Sequence, residues 1–226
     1  MNIIFSKIIR VSSVVLLSSA ATFANANPYD DAILAFENQD YNTALTLSMP
    51  LANMQDVEAM TLVGRIYDEG FNQSAKALPW FRKAAELGNP QAQVELAELY
   101  EAGDGVPKDM DMALQWYQKA ADQDHDEAQL ALAMHYIDDL NEPKEALGLL
   151  QKSANQGNAN AQYQLGLLYL GEVDIPADKL KAWHYFSLAA DLLPEAAQAR
   201  DILQLEMSSN ELKQAAATLA QQKTPR

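Results

Sequence analysis

The residues most able to do chemistry lie in one stretch, ELYEAGDGVPKDMDMALQWYQKAA at residues 98–121. Its glycine-rich turn at residues 103–107 stands among aspartates, as loops that bind phosphate or metal ions often do. A phosphate loop would end in Gly-Lys-Ser/Thr, whereas Lys108 is followed by Asp109. A calcium loop would need oxygen ligands at alternate positions, one of which is Val106. The pattern therefore favours a structural turn over an ion or phosphate site.

The histidines and the acidic turns are the other candidates for chemistry. None of the three histidines, at 125, 135 and 184, has metal-ligand spacing to another ligand, although His135 and Asp139 could share a helix face. The acidic turns are either solvated turns or weak calcium sites, because aspartate also favours turns through local hydrogen bonds. They comprise Asp122, Asp124, Asp126 and Glu127, and then Asp138, Asp139 and Glu142. With no cysteine and no Gly-x-Ser-x-Gly elbow, we expect no catalytic centre, metal or cofactor.

A pattern that recurs every 33 or 36 residues accounts for the glycine-rich turn instead. Each first set has Ala, then Leu or Val four residues later, then Gly or Ala, then Tyr. Each second set has Ala, then usually an aromatic residue, then a Lys-Ala-Ala-like triplet. The first sets are Ala59/Val63/Gly64/Tyr67, Ala92/Leu96/Ala97/Tyr100, Ala128/Leu132/Ala133/Tyr136 and Ala161/Leu165/Gly166/Tyr169. The second sets begin at Ala77, Ala113, Ala146 and Ala182. A period of this length is typical of repeat architectures.

Each set predicts one amphipathic helix, because its apolar residues are three or four positions apart. A unit is then two antiparallel helices, and the turn at residues 103–107 is the link inside one unit. The small residues Gly64, Ala97, Ala133 and Gly166 allow the two helices to approach closely, and tyrosines and tryptophans fill the space between pairs. One pair cannot bury its apolar face alone, so the units must stack.

The motif A-x-x-x-L-G/A-x-x-Y, a Gly-rich link, then K-A-x-x-W-x-x-K-A-A resembles the Sel1-like repeat, a relative of the tetratricopeptide repeat. The unit from Ala92 to Ala128 keeps nearly every motif position, although Met112 replaces the lysine. The resemblance implies an all-α protein, a right-handed α-α solenoid, that acts as an interaction scaffold. We predict a capping helix pair at 27–55, four units at 56–196 and C-terminal capping helices at 197–226.

The first 26 residues have the features of a secretory signal peptide. Lys7 and Arg10 precede a short apolar run that ends in Ala24-Asn25-Ala26, a pattern that signal peptidase cleaves, so the mature chain should begin at Asn27. The competing interpretation is a membrane anchor, but the run is shorter than the roughly 20 apolar residues that span a bilayer. We therefore expect a periplasmic or secreted protein without stable membrane insertion after cleavage.

The net charge of −15 opposes binding to nucleic acid or to anionic lipid, because both require a basic surface. The acidity itself has two interpretations. It keeps an exported protein soluble, or it forms an acidic docking surface. A protein is the partner class that remains.

A second stripe of residues lies opposite the packing face of each first helix, where tetratricopeptide-like solenoids have a concave groove. The stripe is polar or acidic in the first two units, at Glu58, Thr61, Arg65 and Asp68, then at Gln91, Val94, Glu98 and Glu101. After Glu127 and Asn160 it becomes apolar, at Leu130, Met134 and Ile137, then at Tyr163, Leu167 and Leu170. These six apolar residues are the predicted partner-binding site. The alternative is that the last helix, ELKQAAATLA, folds over them and makes them core.

Taken together, these features favour an exported scaffold that mediates protein–protein interactions in the bacterial envelope. The same features fit a secreted virulence factor of this fold that acts on a host partner. A hydrolase with a site on the repeat surface is the contrasting hypothesis, and an activity screen distinguishes it from a scaffold. The sequence indicates neither the partner nor the oligomeric state.

Overall fold

The structure is a computed structural model of the 226-residue chain and describes residues 27–139, 142–171 and 175–223. The predicted signal peptide lies outside the described residues. Within them the chain forms twelve α-helices, one short π-helical segment and no β-strand. The helices are α1 (Pro28–Glu37), α2 (Tyr41–Asn53), α3 (Val57–Arg65), α4 (Ser74–Glu86), α5 (Pro90–Ala102), α6 (Met110–Ala121), α7 (Asp126–Asp138), α8 (Pro143–Asn155), α9 (Ala159–Leu168), α10 (Lys179–Ala189), α11 (Pro194–Leu205) and α12 (Ser209–Lys223). The π-helical segment, Ile66–Gly70, continues α3.

Side-chain caps mark where α3, α5, α6, α9 and α10 begin, whereas α4, α7 and α8 start without one. The carboxylate or amide oxygens of Asp56, Asn89 and Asn158 accept hydrogen bonds from backbone N–H groups three residues later, at 2.9, 2.8 and 3.0 Å. Asp109 and Asp178 do the same at the starts of α6 and α10. Such caps satisfy N–H groups that have no partner within the helix, and each is worth about 1 kcal/mol. Local sequence therefore sets the repeat boundaries.

Successive helices pack against each other in antiparallel pairs, which confirms the predicted all-α solenoid of helix pairs. The two helices of a unit approach each other closely at Gly64 in α3 and at Gly166 in α9. A Cβ atom at either position would clash with the ring of a fully buried phenylalanine, Phe81 in α4 or Phe186 in α10. The glycines therefore allow the contact between the first and second helix in these two units, as the repeat pattern predicts.

Polar side chains connect consecutive units. The Asn89 amide donates to Glu58 at 3.0 Å, and the Asn158 amide donates to Asp126 at 2.8 Å, two units further along. Buried Gln93 and Gln162 each donate to a carbonyl oxygen of the last turn of the preceding helix, at 3.1 Å. These bonds satisfy buried polar groups and fix the register between units.

The glycine-rich turn links α5 to α6. Gly103 and Gly105 have φ angles of 80° and 70°, which favour glycine, and a Cβ atom on Gly105 would overlap the backbone at Ala75. The link therefore packs directly on the start of α4 in the preceding unit.

The C-terminal end of the array consists of α11 and α12. Because α11 begins at Pro194, the predicted boundary after residue 196 falls inside this helix. Ser208 and Glu211 form a capping box, with the Ser208 backbone N–H donating to the Glu211 carboxylate at 2.7 Å. The main packing partner of α12 is α10. No described helix combines the length and the apolar composition that crossing a membrane requires.

Candidate protein-binding groove

The six residues of the predicted binding site lie on α7 and α9 and are all half-buried. Leu130, Met134 and Ile137 lie on α7, whereas Tyr163 and Leu167 lie on α9 and Leu170 lies in the turn after it. All but Met134 pack partly against the core of the C-terminal half, and the ring centroid of Tyr163 is 5.7 Å from that of Phe186. Five of the six side chains therefore contribute to the core, and all six keep part of their surface accessible.

The apolar stripe continues onto α11, which the sequence pattern did not show. Ala196 is fully buried, as Ala161 is in α9, so the register places Ile202 and Leu205 at the positions of Leu167 and Leu170. Ile202 is 56% exposed and Leu205 is 88% exposed. We call the six residues at the two outer stripe positions of the three helices the apolar row. They are Met134, Ile137, Leu167, Leu170, Ile202 and Leu205.

The last helix lies mainly on the second helix of the fourth unit. α12 packs against α10, where Ala215 is 1% exposed and Leu212 joins the C-terminal core. Ile202 and Leu205 keep more than half of their surface exposed. Partner binding at the row stays a prediction for experiment.

The N-terminal half of the stripe is a polar groove across α1, α3 and α5. A cavity of about 160 Å³ lies there, and its walls include Tyr29 and Ile33 of α1, Glu58 and Arg65 of α3, and Gln91 of α5. Burial raises the pKa of the Tyr29 phenol, and the charges of Glu58 and Asp56 raise it further. The phenol therefore stays protonated at neutral pH and can donate a hydrogen bond.

Arg65 is surrounded by acids in this groove. Its Nε atom donates to Glu69 at 2.6 Å and lies 3.6 Å from Glu95, and its guanidinium carbon is 4.7 Å from the ring centroid of Phe36. Burial alone would lower the pKa of Arg65, but the hydrogen bond to Glu69 and nearby carboxylates outweigh it and raise that pKa. The arginine is thus permanently charged and compensated within the protein.

Two residues of the stripe that was predicted to line the concave groove are buried. Val94 is 1% exposed and Thr61 is 5% exposed, so they belong to the protein interior rather than to an open groove. Val94 packs in the same core cluster as Ala92 and Leu96, because α5 is enclosed between α4 and α6 and connected to α3 by the Arg65–Glu95 ion pair. The accessible stripe on α5 is therefore narrower than expected.

Glu98 and Glu101 at the end of α5 are exposed and give this part of the stripe its negative charge. Glu101 accepts a hydrogen bond of 2.8 Å from the Tyr117 hydroxyl. Burial, and then the charges of Glu98 and Glu101, raise the pKa of Tyr117. Because the phenol remains a neutral donor, it orients the Glu101 carboxylate without removing its charge.

The three histidines that the sequence offered as candidates make structural contacts within the protein. His135 Nδ1 is 2.7 Å from Asp139 one turn away, His125 Nε2 is 3.3 Å from Gln91, and His184 is 8% exposed beside Tyr185. In the part of the chain that the structure describes, no group of three or more His, Cys, Asp or Glu residues is arranged to hold a metal ion. The apolar row and the polar groove are therefore the surface features that remain as candidates for binding.

Comparison with protein families gives four matches to the Sel1 repeat, at residues 57–89, 90–125, 126–158 and 159–192. These segments correspond to α3–α4, α5–α6, α7–α8 and α9–α10. Comparison with curated proteins gave no match.

Solved structures with the same fold include three bacterial proteins. A Sel1 repeat protein from Oxalobacter formigenes is 25% identical, with a TM-score of 0.67 over 87% of this chain and 85% of the other. A protective antigen of uropathogenic Escherichia coli is 26% identical, with a TM-score of 0.54 over 86% of this chain but only 52% of the antigen. An immunity protein from Pseudomonas aeruginosa is 20% identical, with a TM-score of 0.52 over 86% of this chain and 88% of the other, and shows the fold alone.

Proposed function

The chain belongs to the Sel1 repeat family, and we propose on that basis that it is an exported scaffold that binds another protein in the bacterial envelope. Sel1 repeat proteins generally bind protein partners and are generally not catalysts. The stripe on the first helices is the proposed binding surface, and the apolar row is its centre.

The observation that carries this proposal is the accessibility of the apolar row. Its side chains lie at the same two positions of three consecutive first helices, so the register places them on one face of the array. The two on α11 are 56% and 88% exposed. Contiguous exposed apolar surface on a soluble protein usually marks a contact site, because leaving it in water costs about 25 cal/mol per Å².

The proposed location rests on the N-terminal sequence. Lys7, Arg10 and the Ala24-Asn25-Ala26 motif are the features of a cleaved signal peptide. The likeness to a protective antigen of uropathogenic Escherichia coli favours a second candidate function, a secreted factor that binds a host protein.

The test is affinity capture with paired variants. Ile202→Glu/Leu205→Glu places two charges in the apolar row. Met54→Glu/Leu192→Glu adds the same charge at two other exposed apolar residues, which are 78% and 71% exposed. Because all four side chains are exposed, the free energy of unfolding of each double variant should lie within about 1 kcal/mol of the wild-type value.

We expect wild type and the Met54/Leu192 control to retain one specific envelope protein that the row variant loses. Equal retention by both variants would place the contact elsewhere and overturn the proposal for the row. A partner found among host proteins, with the scaffold in the culture medium, would replace the envelope function by the secreted one.

A further inference from the structure

The cavity in the polar groove brings together side chains from three helices. Tyr29 and Ile33 come from α1, Glu58 and Arg65 from α3, and Gln91 from α5. Its volume of about 160 Å³ is close to that of a cavity that holds benzene, so it has room for about six non-hydrogen atoms. The cavity therefore suits one side chain or a small molecule.

Glu58 supplies this cavity with a carboxylate whose charge is not paired. Within residues 27–139, 142–171 and 175–223, Glu58 forms no ion pair, and its hydrogen-bond partner is the uncharged amide of Asn89, at 3.0 Å. This hydrogen bond reaches the Oε1 atom and orients the carboxylate without removing its charge. The Glu58 side chain is exposed, so a ligand can reach the second oxygen atom.

Two further oxygen atoms that can accept hydrogen bonds line the cavity. The Tyr29 phenol is neutral, so its oxygen can accept a hydrogen bond as well as donate one. The Gln91 amide nitrogen donates to Glu95 at 2.8 Å, and its oxygen lies 3.3 Å from His125 Nε2. Because an amide oxygen has two lone pairs, the Gln91 oxygen can accept a second hydrogen bond. With Glu58, three helices each provide one acceptor.

The charges around the cavity favour a cation although Arg65 lines it. The guanidinium of Arg65 is already paired with two carboxylates of the protein. Glu58 and Asp56 each raise the pKa of the Tyr29 phenol more than Arg65 lowers it. The electrostatic potential at the phenol is therefore negative, and a cationic group would be stabilised there.

We infer that this cavity binds a primary ammonium group on a short alkyl stem, as in a lysine side chain. The three N–H donors of the ammonium match the acceptor oxygens of Glu58, Tyr29 and Gln91. Ile33 and Leu62, which also line the cavity, would pack against the methylene groups of the stem. A lysine side chain has about five non-hydrogen atoms beyond Cα, which the cavity volume accommodates.

This site goes beyond the proposed scaffold function, because it lies on α1, α3 and α5 whereas the apolar row lies on α7, α9 and α11. The same ammonium chemistry is carried by a lysine of another protein and by a free alkylamine. The experiment therefore includes one probe for each source. Since neither probe contacts the apolar row, the result is independent of the proposed binding at the row.

The test is an NMR titration of the isotope-labelled protein at low salt. Nα-acetyl-lysine methylamide presents a lysine side chain, butylamine represents a free amine, and Nα-acetyl-norleucine methylamide has the stem without the ammonium. We expect saturable shifts of the backbone amides around the cavity, with the lysine analogue binding at least about fivefold more tightly than the norleucine analogue. Tighter binding of the lysine analogue than of butylamine would identify a protein lysine as the ligand, and the reverse order would identify a free amine.

Two variants test the acceptor oxygens separately. Glu58→Gln removes the charge but keeps an oxygen atom for the Asn89 amide, so the contact between units is retained. Tyr29→Phe removes only the phenol oxygen. Each variant should weaken binding of the lysine analogue about three- to fivefold. Glu86→Gln, which makes the same charge change at an exposed position of α4, should leave the affinity unchanged.

Equal affinity for the lysine and norleucine analogues would overturn the inference. Shifts spread over acidic residues outside the cavity would also overturn it, because they would reflect only the attraction of a cation to a protein with a net charge of −15. Unchanged affinity in both Glu58→Gln and Tyr29→Phe would do the same, since a purely structural role of these residues predicts that result. The dispersion of the amide signals checks that each variant is folded.

Discussion

Replacing Gly166 by alanine tests whether close approach of the two helices holds each unit together. A Cβ at this position would overlap three atoms of the Phe186 ring, and Phe186 is fully buried, so the ring has no free space to enter. Overpacking of this kind destabilises a protein by about 1–3 kcal/mol, whereas the higher helix propensity of alanine stabilises it by about 1 kcal/mol. Gly166→Ala should therefore lower the free energy of unfolding by up to about 2 kcal/mol.

Gly148 in α8 is the matched control for this substitution. It is exposed, and a Cβ there would meet no atom within 4 Å. Gly148→Ala should therefore raise the free energy of unfolding by about 0.5–1 kcal/mol through helix propensity alone. The two alanine variants should move stability in opposite directions.

Urea unfolding followed by helical circular dichroism measures both effects, with Phe186→Leu completing a double-mutant cycle. In the Gly166→Ala background, Phe186→Leu should cost less than it does in wild type, with a coupling of about 0.5–3 kcal/mol, because the smaller side chain makes room for the methyl group. If Gly166→Ala stabilises the protein as much as Gly148→Ala does, the close approach at Phe186 is not the feature that positions these helices.

Three further predictions concern the core, processing and the last helix. Trp116 is 9% exposed, and the Lys119 amine lies 3.5 Å from its ring centroid. Trp116→Ala should therefore leave a cavity and lower the free energy of unfolding in urea by about 3–5 kcal/mol. A decrease below about 1 kcal/mol would contradict the packing role of the ring. Mass spectrometry of the exported protein should give a chain that starts at Asn27, whereas an intact N-terminus in the membrane fraction would favour the anchor. Hydrogen bonds from Ser208 lower the pKa of Glu211, so this cap should be intact above about pH 4.5 and be lost as pH falls through the lowered value. After correction for the intrinsic pH dependence of amide exchange, the protection factors of α12 should then fall in acid for wild type and change less with pH for Glu211→Ala.

The repeat register was predictable from sequence because it depends on residues that must be small. Ala59, Ala92, Ala128 and Ala161 all have no exposed surface, and they begin the four residue sets that located the first helices. The caps and the link at residues 103–109 were also local features, since each depends on a few neighbouring residues.

The contacts between helices were harder to predict. The fully buried rings belong to Phe81 and Phe186, which directly follow Trp80 and Tyr185 of the motif. Adjacent helix positions differ by about 100°, and which of them faces the partner helix depends on how the helices cross. The repeat pattern emphasised the motif aromatics and did not identify these phenylalanines.

The binding surface was predicted only in part for a similar reason. Val94 is buried although its position opposes the packing face, because α5 is enclosed between α4 and α6. Ile202 and Leu205 were missed because α11 lacks the Leu-Gly signature, and only its buried Ala196 shows the register. Surfaces formed by several units require the structure.

Site-specific photo-crosslinking in living cells tests the central claim, that the stripe on the first helices binds a partner protein. A photo-reactive amino acid would be placed at Met134 or Leu205 in the apolar row, and at Met54 or Leu87, which are 78% and 54% exposed, as controls. We predict an adduct with the same partner from both row positions and none from the two controls. Adducts from Met54 and Leu87 but not from Met134 and Leu205 would contradict the claim.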